Sequence, residues 1–266
     1  AVITAENSDV VILCVGLNET LEGEEGDTGN SDASGDKVDL HLPKVQEELI
    51  EKVTAVGKPT IVVLMAGSAI DLNYAQDNCN GILLAWYPGA RGGRAIADLL
   101  FGKESPSGKL PITFYKDLEG MPEFTDYSMK NRTYRYMEKE ALYPFGYGLT
   151  YSDTCVTEAE VVGEVSAESD IMLKATVKNN GTVDTDEVVQ VYIKDLDSPL
   201  AVRNYSLCGF KRVSLKAGEE KSVEFTISNK AMNIVDEDGN RYIAGKHFRL
   251  FAGVSQPDTR SAELTG

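Results

Sequence analysis

The sequence predicts two domains of different fold class, an α/β domain followed by an all-β sandwich. Within residues 1–114, short apolar runs alternate with helical patterns, whereas from 151 to 266 short runs of alternating apolar and polar residues replace them. The stretch 115–150 follows neither period and is rich in aromatic residues. Strands that alternate with helices indicate a parallel sheet, and closely spaced alternating strands are typical of a β-sandwich. At 266 residues the chain is long enough for two hydrophobic cores.

The first domain begins with an apolar run that predicts a buried strand at Val10–Val15. Pro43 then opens a helix through Val56, because the apolar residues Val45, Leu49, Val53 and Val56 share one face. Gly57 ends that helix. The same patterns predict strands at Thr60–Met65 and Gly81–Trp86 and a helix at Gly92–Leu100.

The second domain is predicted from turn signals placed between short strands. Asn179 to Thr182 and Lys216 to Gly218 carry the glycine and asparagine residues that favour tight turns. The strands expected between such turns are Thr157–Val165, Ile171–Lys178, Glu187–Lys194, Leu207–Leu215, Lys221–Ser228 and His247–Val254.

The aromatic stretch 115–150 is expected to be ordered and functional, since long loops in compact proteins are usually functional or disordered. Tyrosine and arginine are residues that contact sugar rings or protein surfaces. Arg132 and Tyr134 are therefore candidates for substrate binding. The alternative is a strap between the domains that packs its aromatic rings against the sandwich.

Composition excludes several classes of partner. The formal net charge is −16, from 42 acidic and 26 basic residues. Nucleic acids and anionic membrane surfaces need a basic footprint, so neither is expected as a partner. No apolar stretch reaches the ~20 residues of a membrane-spanning helix.

The four cysteines, Cys14, Cys79, Cys155 and Cys208, show no metal-ligand spacing, and neither a metal nor a cofactor is expected. Cys14 lies within the first predicted strand and is expected to be buried. Free thiols favour the cytoplasm, whereas sequons at Asn18, Asn131, Asn180 and Asn204 leave a secreted glycoprotein as the alternative.

An acidic loop follows the first predicted strand and is the main candidate for chemistry. Between Gly16 and Asp27 it contains four glutamates, Glu19, Glu22, Glu24 and Glu25. Clustered carboxylates repel one another, which raises the pKa of at least one of them. Open α/β sheets bind their ligands at the carboxyl ends of strands, so the loop is a candidate site for a general acid.

Several further motifs follow one another along the chain: Leu40–Gln46, Ala85–Gly89, Gly92–Gly102, Ser105–Phe114 and Tyr143–Leu149. In their order and spacing, these motifs and the Gly16–Glu25 loop resemble the C-terminal part of glycoside hydrolase family 3, the β-glucosidases and β-xylosidases. The resemblance implies an open α/β sandwich domain that lacks its first units, followed by a fibronectin type III-like, immunoglobulin-like sandwich. It also implies a TIM-barrel domain, absent from this chain, that supplies the nucleophilic aspartate.

The resemblance further implies retaining, exo-acting hydrolysis of a β-linked glucoside or oligosaccharide, with xyloside specificity as the alternative. In this mechanism one carboxylate attacks the anomeric carbon while a carboxylic acid protonates the leaving oxygen. Glu24 matches the family's acid/base, with Glu25 and then Glu22 as competitors, and Asp27 is a candidate substrate contact. Thr28 follows Asp27 where relatives often have arginine, so the register of the glutamates stays open. The chain alone is expected to be inactive because it lacks the nucleophile.

The sequence offers four alternatives to glycoside hydrolysis. The oxygen-bearing residues between Asp27 and Asp36 do not match the calcium-loop template. Gly89–Gly93 has no nucleotide-binding spacing, and only His41 and His247 could serve as the base of a serine or cysteine hydrolase. A non-catalytic scaffold that packs on a partner stays open as the alternative for the isolated chain.

Overall fold

The computed structural model describes residues 1–22, 37, 39–166, 168–258 and 261–265. Contacts divide the chain into two compact units. The first unit contains residues 1–100, 114–120 and 140–142, and the second contains 101–113, 121–139 and 143–266. The predicted strap, 115–150, is thus distributed between the two units. The predicted fold class, an α/β domain followed by a β-sandwich, is confirmed.

The first unit contains a parallel sheet with the strand order β1-β2-β3. Its strands are β1 Val11–Gly16, β2 Thr60–Met65 and β3 Gly81–Leu84. Strand β2 lies in the centre, and its Val62, Val63 and Leu64 are fully buried. Val11 pairs with Thr60 and Gly16 with Met65, so β1 and β2 end side by side. The carboxyl ends of these strands therefore form one edge of the sheet.

In the described part of the first unit, five helices accompany this sheet: α1 Val2–Glu6, α2 Glu19–Glu22, α3 Lys44–Thr54, α4 Asn73–Asn78 and α5 Gly92–Leu100. In α3 the inward side is formed by Gln46, Ile50 and Val53, spaced four and three residues apart. The prediction that Val45 belongs to the buried face is wrong, since it is 75% exposed. Val45 lies one position away from the stripe that faces inward, and Gln46 takes the place next to the sheet.

The predicted burial of Cys14 is also wrong, because its thiol is exposed. Successive side chains of a strand point to opposite faces, and in β1 the buried ones are Leu13 and Val15. Ile12, on the same face as Cys14, is 45% exposed. A continuous apolar run does not reveal which of its two faces is covered.

The second unit consists of two antiparallel sheets, with the strand orders β12-β11-β6-β7 and β4-β5-β8. Their inward side chains form one core, which includes Leu173, Val191 and Phe225. A separate hairpin joins β9 and β10. The strands are β4 Thr154–Val162, β5 Ile171–Asn179, β6 Thr185–Asp195, β7 Ser206–Leu215, β8 Glu220–Ile227, β9 Ile234–Val235, β10 Arg241–Tyr242, β11 Phe248–Gly253 and β12 Ala262–Thr265.

A short helix, α6 Thr133–Tyr136, precedes these strands in the chain. A 3₁₀ turn, Asn229–Met232, follows β8 and is capped by the side chain of Ser228. No helix in the described part of the chain is both long enough and apolar enough to cross a membrane.

Candidate active site

The carboxyl end of β1 is fixed by contacts with β2 and α3. The backbone of Gly16 lies so close to β2 that a Cβ atom there would be 1.8 Å from the Met65 carbonyl oxygen. The Gln46 side chain accepts a hydrogen bond from Gly16 N at 2.7 Å and donates one to Gly16 O at 2.8 Å. Only glycine fits at position 16, and the amide of Gln46 satisfies both of its backbone polar groups.

Asn18 then turns the chain into the short helix α2. Its side-chain oxygen accepts a hydrogen bond from Leu21 N at 3.0 Å, as an N-cap residue does. The Asn18 carbonyl accepts a hydrogen bond from Glu22 N at 2.8 Å. The helix therefore places Glu22 at a defined position beyond the end of β1.

The Glu22 carboxylate is bound by three donors from the loops that follow β2 and β3. Gly67 N donates to Oε1 at 2.5 Å, the Ser68 hydroxyl donates to Oε2 at 2.7 Å, and the Tyr87 hydroxyl donates to Oε1 at 3.0 Å. The Lys37 ammonium donates to Ser68 Oγ at 3.1 Å. One carboxylate therefore joins the loops after all three strands of the sheet.

These contacts set the protonation of the site. Burial raises the pKa of Glu22, but the hydrogen bonds from Ser68, Gly67 and Tyr87 and the charge of Lys37 outweigh it, so the pKa lies below the ordinary value of 4.5. Burial and the hydrogen bond to Glu22 raise the pKa of Tyr87 to about 12. Glu22 is therefore ionised at neutral pH. Tyr87 stays protonated there and donates its hydrogen bond to Glu22.

An open cleft of about 350 Å³ lies at this edge of the sheet. Its lining includes the end of β1 with Asn18 and Glu19, and it also includes Gln46, Met65 and Tyr87. The lining combines apolar surface with amide, carboxylate and phenol groups. Such a surface can bind a polyhydroxylated, uncharged ligand through hydrogen bonds and apolar contact.

Comparison with known families identifies the architecture that carries this cleft. The model of the glycosyl hydrolase family 3 C-terminal domain matches residues 1–151, and the model of the fibronectin type III-like domain matches residues 187–256. The chain belongs to glycoside hydrolase family 3. The resemblance inferred from the sequence motifs is thereby confirmed.

Individual relatives in this family are similar over nearly the whole chain. A xylan 1,4-β-xylosidase from Xylanibacter ruminicola is 40% identical over 259 residues, which cover 96% of this chain and 30% of that protein. A β-xylosidase from Formosa agariphila is 35% identical over 273 residues, covering 100% and 36%. The solved structure of a β-glucosidase from Erythrobacter marinus matches with a TM-score of 0.84 and 31% identity, covering 99% and 35%. The chain spans about a third of the length of these relatives.

Of the predicted catalytic residues, the structure describes only Glu22. The proposed acid/base Glu24, its competitor Glu25 and the candidate substrate contact Asp27 lie outside the described residues, as do the oxygen-bearing residues up to Asp36. Glu24 follows Glu22 by two positions in the sequence.

Arg132 and Tyr134, the other predicted substrate contacts, belong to the second unit, and their polar groups contact backbone there. Arg132 Nη2 donates hydrogen bonds to the carbonyl oxygens of Glu123 and Asp126, at 3.0 and 2.8 Å. The Tyr134 hydroxyl accepts a hydrogen bond from Leu207 N at 3.0 Å, and its ring stacks on Phe145 with centroids 4.2 Å apart. Both side chains thus contribute to the packing of the segment that carries them.

Each histidine lies within hydrogen-bonding distance of a carboxylate of its own unit. His41 Nδ1 lies 2.9 Å from a Glu47 carboxylate oxygen, and this hydrogen bond raises the pKa of His41. His247 Nδ1 lies 3.1 Å from Asp197, in the other unit. No group of three or more histidine, cysteine, aspartate or glutamate side chains in the described ranges could hold a metal ion.

Sequence reasoning missed Gln46, Gly67, Ser68 and Tyr87 as parts of the site. Gln46 and Tyr87 belong to the motifs Leu40–Gln46 and Ala85–Gly89. These motifs supported the family resemblance but did not indicate what either residue does. Gly67 contributes only its backbone N–H, for which no side-chain signal exists. Gly67, Ser68 and Tyr87 follow Glu22 by 45 to 65 positions, so only the fold brings them together.

Proposed function

We propose that this chain supplies the general acid/base of a retaining, exo-acting β-glycosidase, and that Glu24 is the proton donor. The observation that carries the proposal is the position of the acidic loop, whose first residues lie beside the cleft at the carboxyl edge of the sheet. The nucleophile would come from the barrel domain of the whole enzyme. Its attack on the anomeric carbon would be assisted by protonation of the leaving oxygen.

The state of Glu22 supports Glu24 over Glu22 as the proton donor. A general acid must hold its proton at the working pH, which requires a raised pKa. The pKa of Glu22 is lowered, and both of its oxygens accept hydrogen bonds from protein groups. Glu22 is therefore held in its ionised form, which leaves the proton-donor role to another glutamate of the loop.

The substrate class that we propose is a β-linked glucoside or xyloside. Sequence reasoning favours a β-glucoside, and the matching structure from Erythrobacter marinus is of a β-glucosidase. The xyloside alternative is supported by the 40% identity to a xylan 1,4-β-xylosidase. Aryl β-glucoside and aryl β-xyloside, assayed in parallel on the whole enzyme, would separate the two specificities by their kcat/KM values.

The proton-donor role is tested by Glu24→Gln in the whole enzyme, with Glu25→Gln as the matched control. A general acid contributes roughly 10²- to 10⁴-fold to the rate when the leaving group needs protonation. We expect Glu24→Gln to lower kcat/KM by that factor for an alkyl glycoside and far less for a dinitrophenyl glycoside, which needs no proton. The reverse result in the two variants would assign the role to Glu25, and unchanged rates in both would contradict the proposal.

The same assay addresses the scaffold alternative. If the chain only packs on a partner, adding it to the separately produced barrel domain would restore no hydrolysis. If it supplies the acid/base, the two parts together would hydrolyse an aryl β-glycoside, and the Glu24→Gln form would not hydrolyse an alkyl one.

A further inference from the structure

Glu22 and Lys37 lie on either side of the acidic stretch 23–36, and both meet the same side chain. The Ser68 hydroxyl donates to Glu22 Oε2 at 2.7 Å, and Lys37 Nζ donates to Ser68 Oγ at 3.1 Å. The residues at which the acidic stretch begins and ends are therefore joined through one serine on the loop after β2.

We propose that Glu22 is a positioning residue whose carboxylate, bound by Gly67, Ser68 and Tyr87, fixes the start of the acidic loop so that Glu24 reaches the leaving oxygen of the glycoside. This inference rests on the proposed function, because it assigns to Glu22 the placement of the acid/base. Glu22 itself does not touch substrate and exchanges no proton with it.

The geometry around Gly67 indicates that the network is tightly packed. A Cβ atom at position 67 would lie 3.0 Å from Cε2 of the Tyr87 ring and 3.3 Å from Glu22 Oε1. The Glu22 carboxylate and the Tyr87 ring thus occupy the space that any larger residue would need. Because the donors come from two different loops, a displacement of Glu22 would break hydrogen bonds to both of them.

Positioning matters here because proton transfer depends steeply on distance. A misplacement of about 1 Å can cost roughly 10²-fold in rate, even when the altered residue lies away from the reacting atoms. Among the described residues, the charged or titratable groups that act on Glu22 and its partners are Lys37 and Tyr87, with Glu19 on the same helix and Asp39 beside Lys37. Removing the Glu22 carboxylate would break its hydrogen bonds to Gly67, Ser68 and Tyr87, which hold the start of the acidic loop.

The test compares leaving groups in the whole enzyme that contains this chain. We expect Glu22→Ala to lower kcat/KM by about 10²-fold for an alkyl β-glycoside and by less than about threefold for a dinitrophenyl β-glycoside. Glu22→Gln keeps the shape of the side chain but loses its charge. We expect it to lower kcat/KM more for the alkyl than for the dinitrophenyl glycoside, but by a smaller factor than Glu22→Ala. The matched control is Glu51→Gln, which removes an exposed carboxylate from α3 of the same unit, outside the cleft, and should leave both rates unchanged.

Ser68→Ala and Tyr87→Phe keep the test valid if Glu22→Ala does not fold. Each removes one of the three donors, and each is expected to show the bias toward activated leaving groups in an enzyme with an unchanged melting temperature. The inference would be overturned if the Glu22, Ser68 and Tyr87 variants lost kcat/KM equally for the alkyl and the dinitrophenyl glycoside. Unchanged kcat/KM values in all of these variants would also overturn it.

The outcome for Glu24 separates this inference from the proposed function. If Glu24→Gln shows the leaving-group bias and the Glu22 variants do not, only the positioning role of Glu22 fails. If Glu24→Gln shows no bias, the assignment of Glu24 fails, and the inference fails with it.

Discussion

Two carboxylates of this protein have similar hydrogen-bonding partners and very different surroundings. Glu22 accepts from Gly67, Ser68 and Tyr87 at the edge of an open cleft. Glu187, on β6 in the second unit, accepts from Thr154 Oγ1 at 2.5 Å and Val188 N at 2.6 Å and pairs with Lys109 at 2.8 Å. The Glu187 and Lys109 side chains are only 2% and 8% exposed.

The comparison shows that a carboxylate bound by several donors is not in itself a functional site. The Glu187 pair is enclosed by the second unit, and each buried charge compensates the other, so loss of one partner would destabilise the unit. The network of Glu22 lies beside the cleft, and Tyr87 belongs to both. We therefore expect loss of stability from changes around Glu187 and loss of catalysis from changes around Glu22.

The largest effect on stability is expected from Lys109→Met. This change leaves Glu187 buried without its cation, which costs about 3–5 kcal/mol in the free energy of unfolding. Urea denaturation of the second unit measures it. The matched control is Lys216→Met, whose partner Asp184 is 58% exposed, and which should change the free energy of unfolding little, because solvent screens an exposed pair. If both variants lose equal stability, the contrast between buried and exposed pairs does not hold here.

A smaller loss of folding stability is expected from Gly16→Ala, which changes the end of β1 beside the cleft. The added Cβ would meet the Met65 carbonyl at 1.8 Å, and forcing β1 away from β2 should cost about 1–3 kcal/mol. Thermal unfolding measures the loss. Gly93→Ala, at a position where an added Cβ meets nothing within 4 Å, is the control and should unfold at the native temperature or above.

Tyr134→Phe distinguishes packing from substrate binding in the second unit. Removing the hydroxyl leaves Leu207 N without the acceptor that it has at 3.0 Å, at a cost of about 1 kcal/mol. We expect KM for the glycoside to stay unchanged in this variant. An increase in KM at unchanged stability would instead support the prediction of a sugar contact.

The smallest effect on folding stability is expected from Glu22→Gln, and this effect depends on pH. Because the folded pKa of Glu22 is lowered below 4.5, its carboxylate stabilises the fold above the unfolded pKa, and this contribution is lost as the pH falls through the folded value. Since the side chain is partly exposed, screening limits the difference at pH 7 to about 0.5–1 kcal/mol. Urea denaturation at neutral and acidic pH measures it. A difference that grew on acidification would contradict the lowered pKa.

The fold could be predicted where local patterns determine it. Thr60–Met65 and Gly92–Leu100 agree with the structure at both ends, because an apolar run and a helical period each end at a clear boundary. Strand β12 at Ala262–Thr265 was missed, since so short a run has no distinctive period. The exposure of Cys14 could not be predicted, because it depends on which face of β1 is covered.

The candidate site could be predicted only in part. Clustered carboxylates after a strand identified the acidic loop and the edge of the sheet where it begins. The donors to Glu22 could not be found in this way, because Gly67, Ser68 and Tyr87 carry no local pattern that relates them to residue 22. The lowered pKa of Glu22 depends on these long-range hydrogen bonds.

Azide rescue of the whole enzyme provides the decisive experiment. In Glu24→Ala, an activated aryl glycoside should still form the glycosyl intermediate, and azide should intercept it because a small anion needs no general base. We predict that azide restores turnover of Glu24→Ala and yields a glycosyl azide that retains the β configuration, while Glu25→Ala forms none. Rescue of Glu25→Ala instead, or of neither variant, would contradict the assignment of Glu24 as the acid/base.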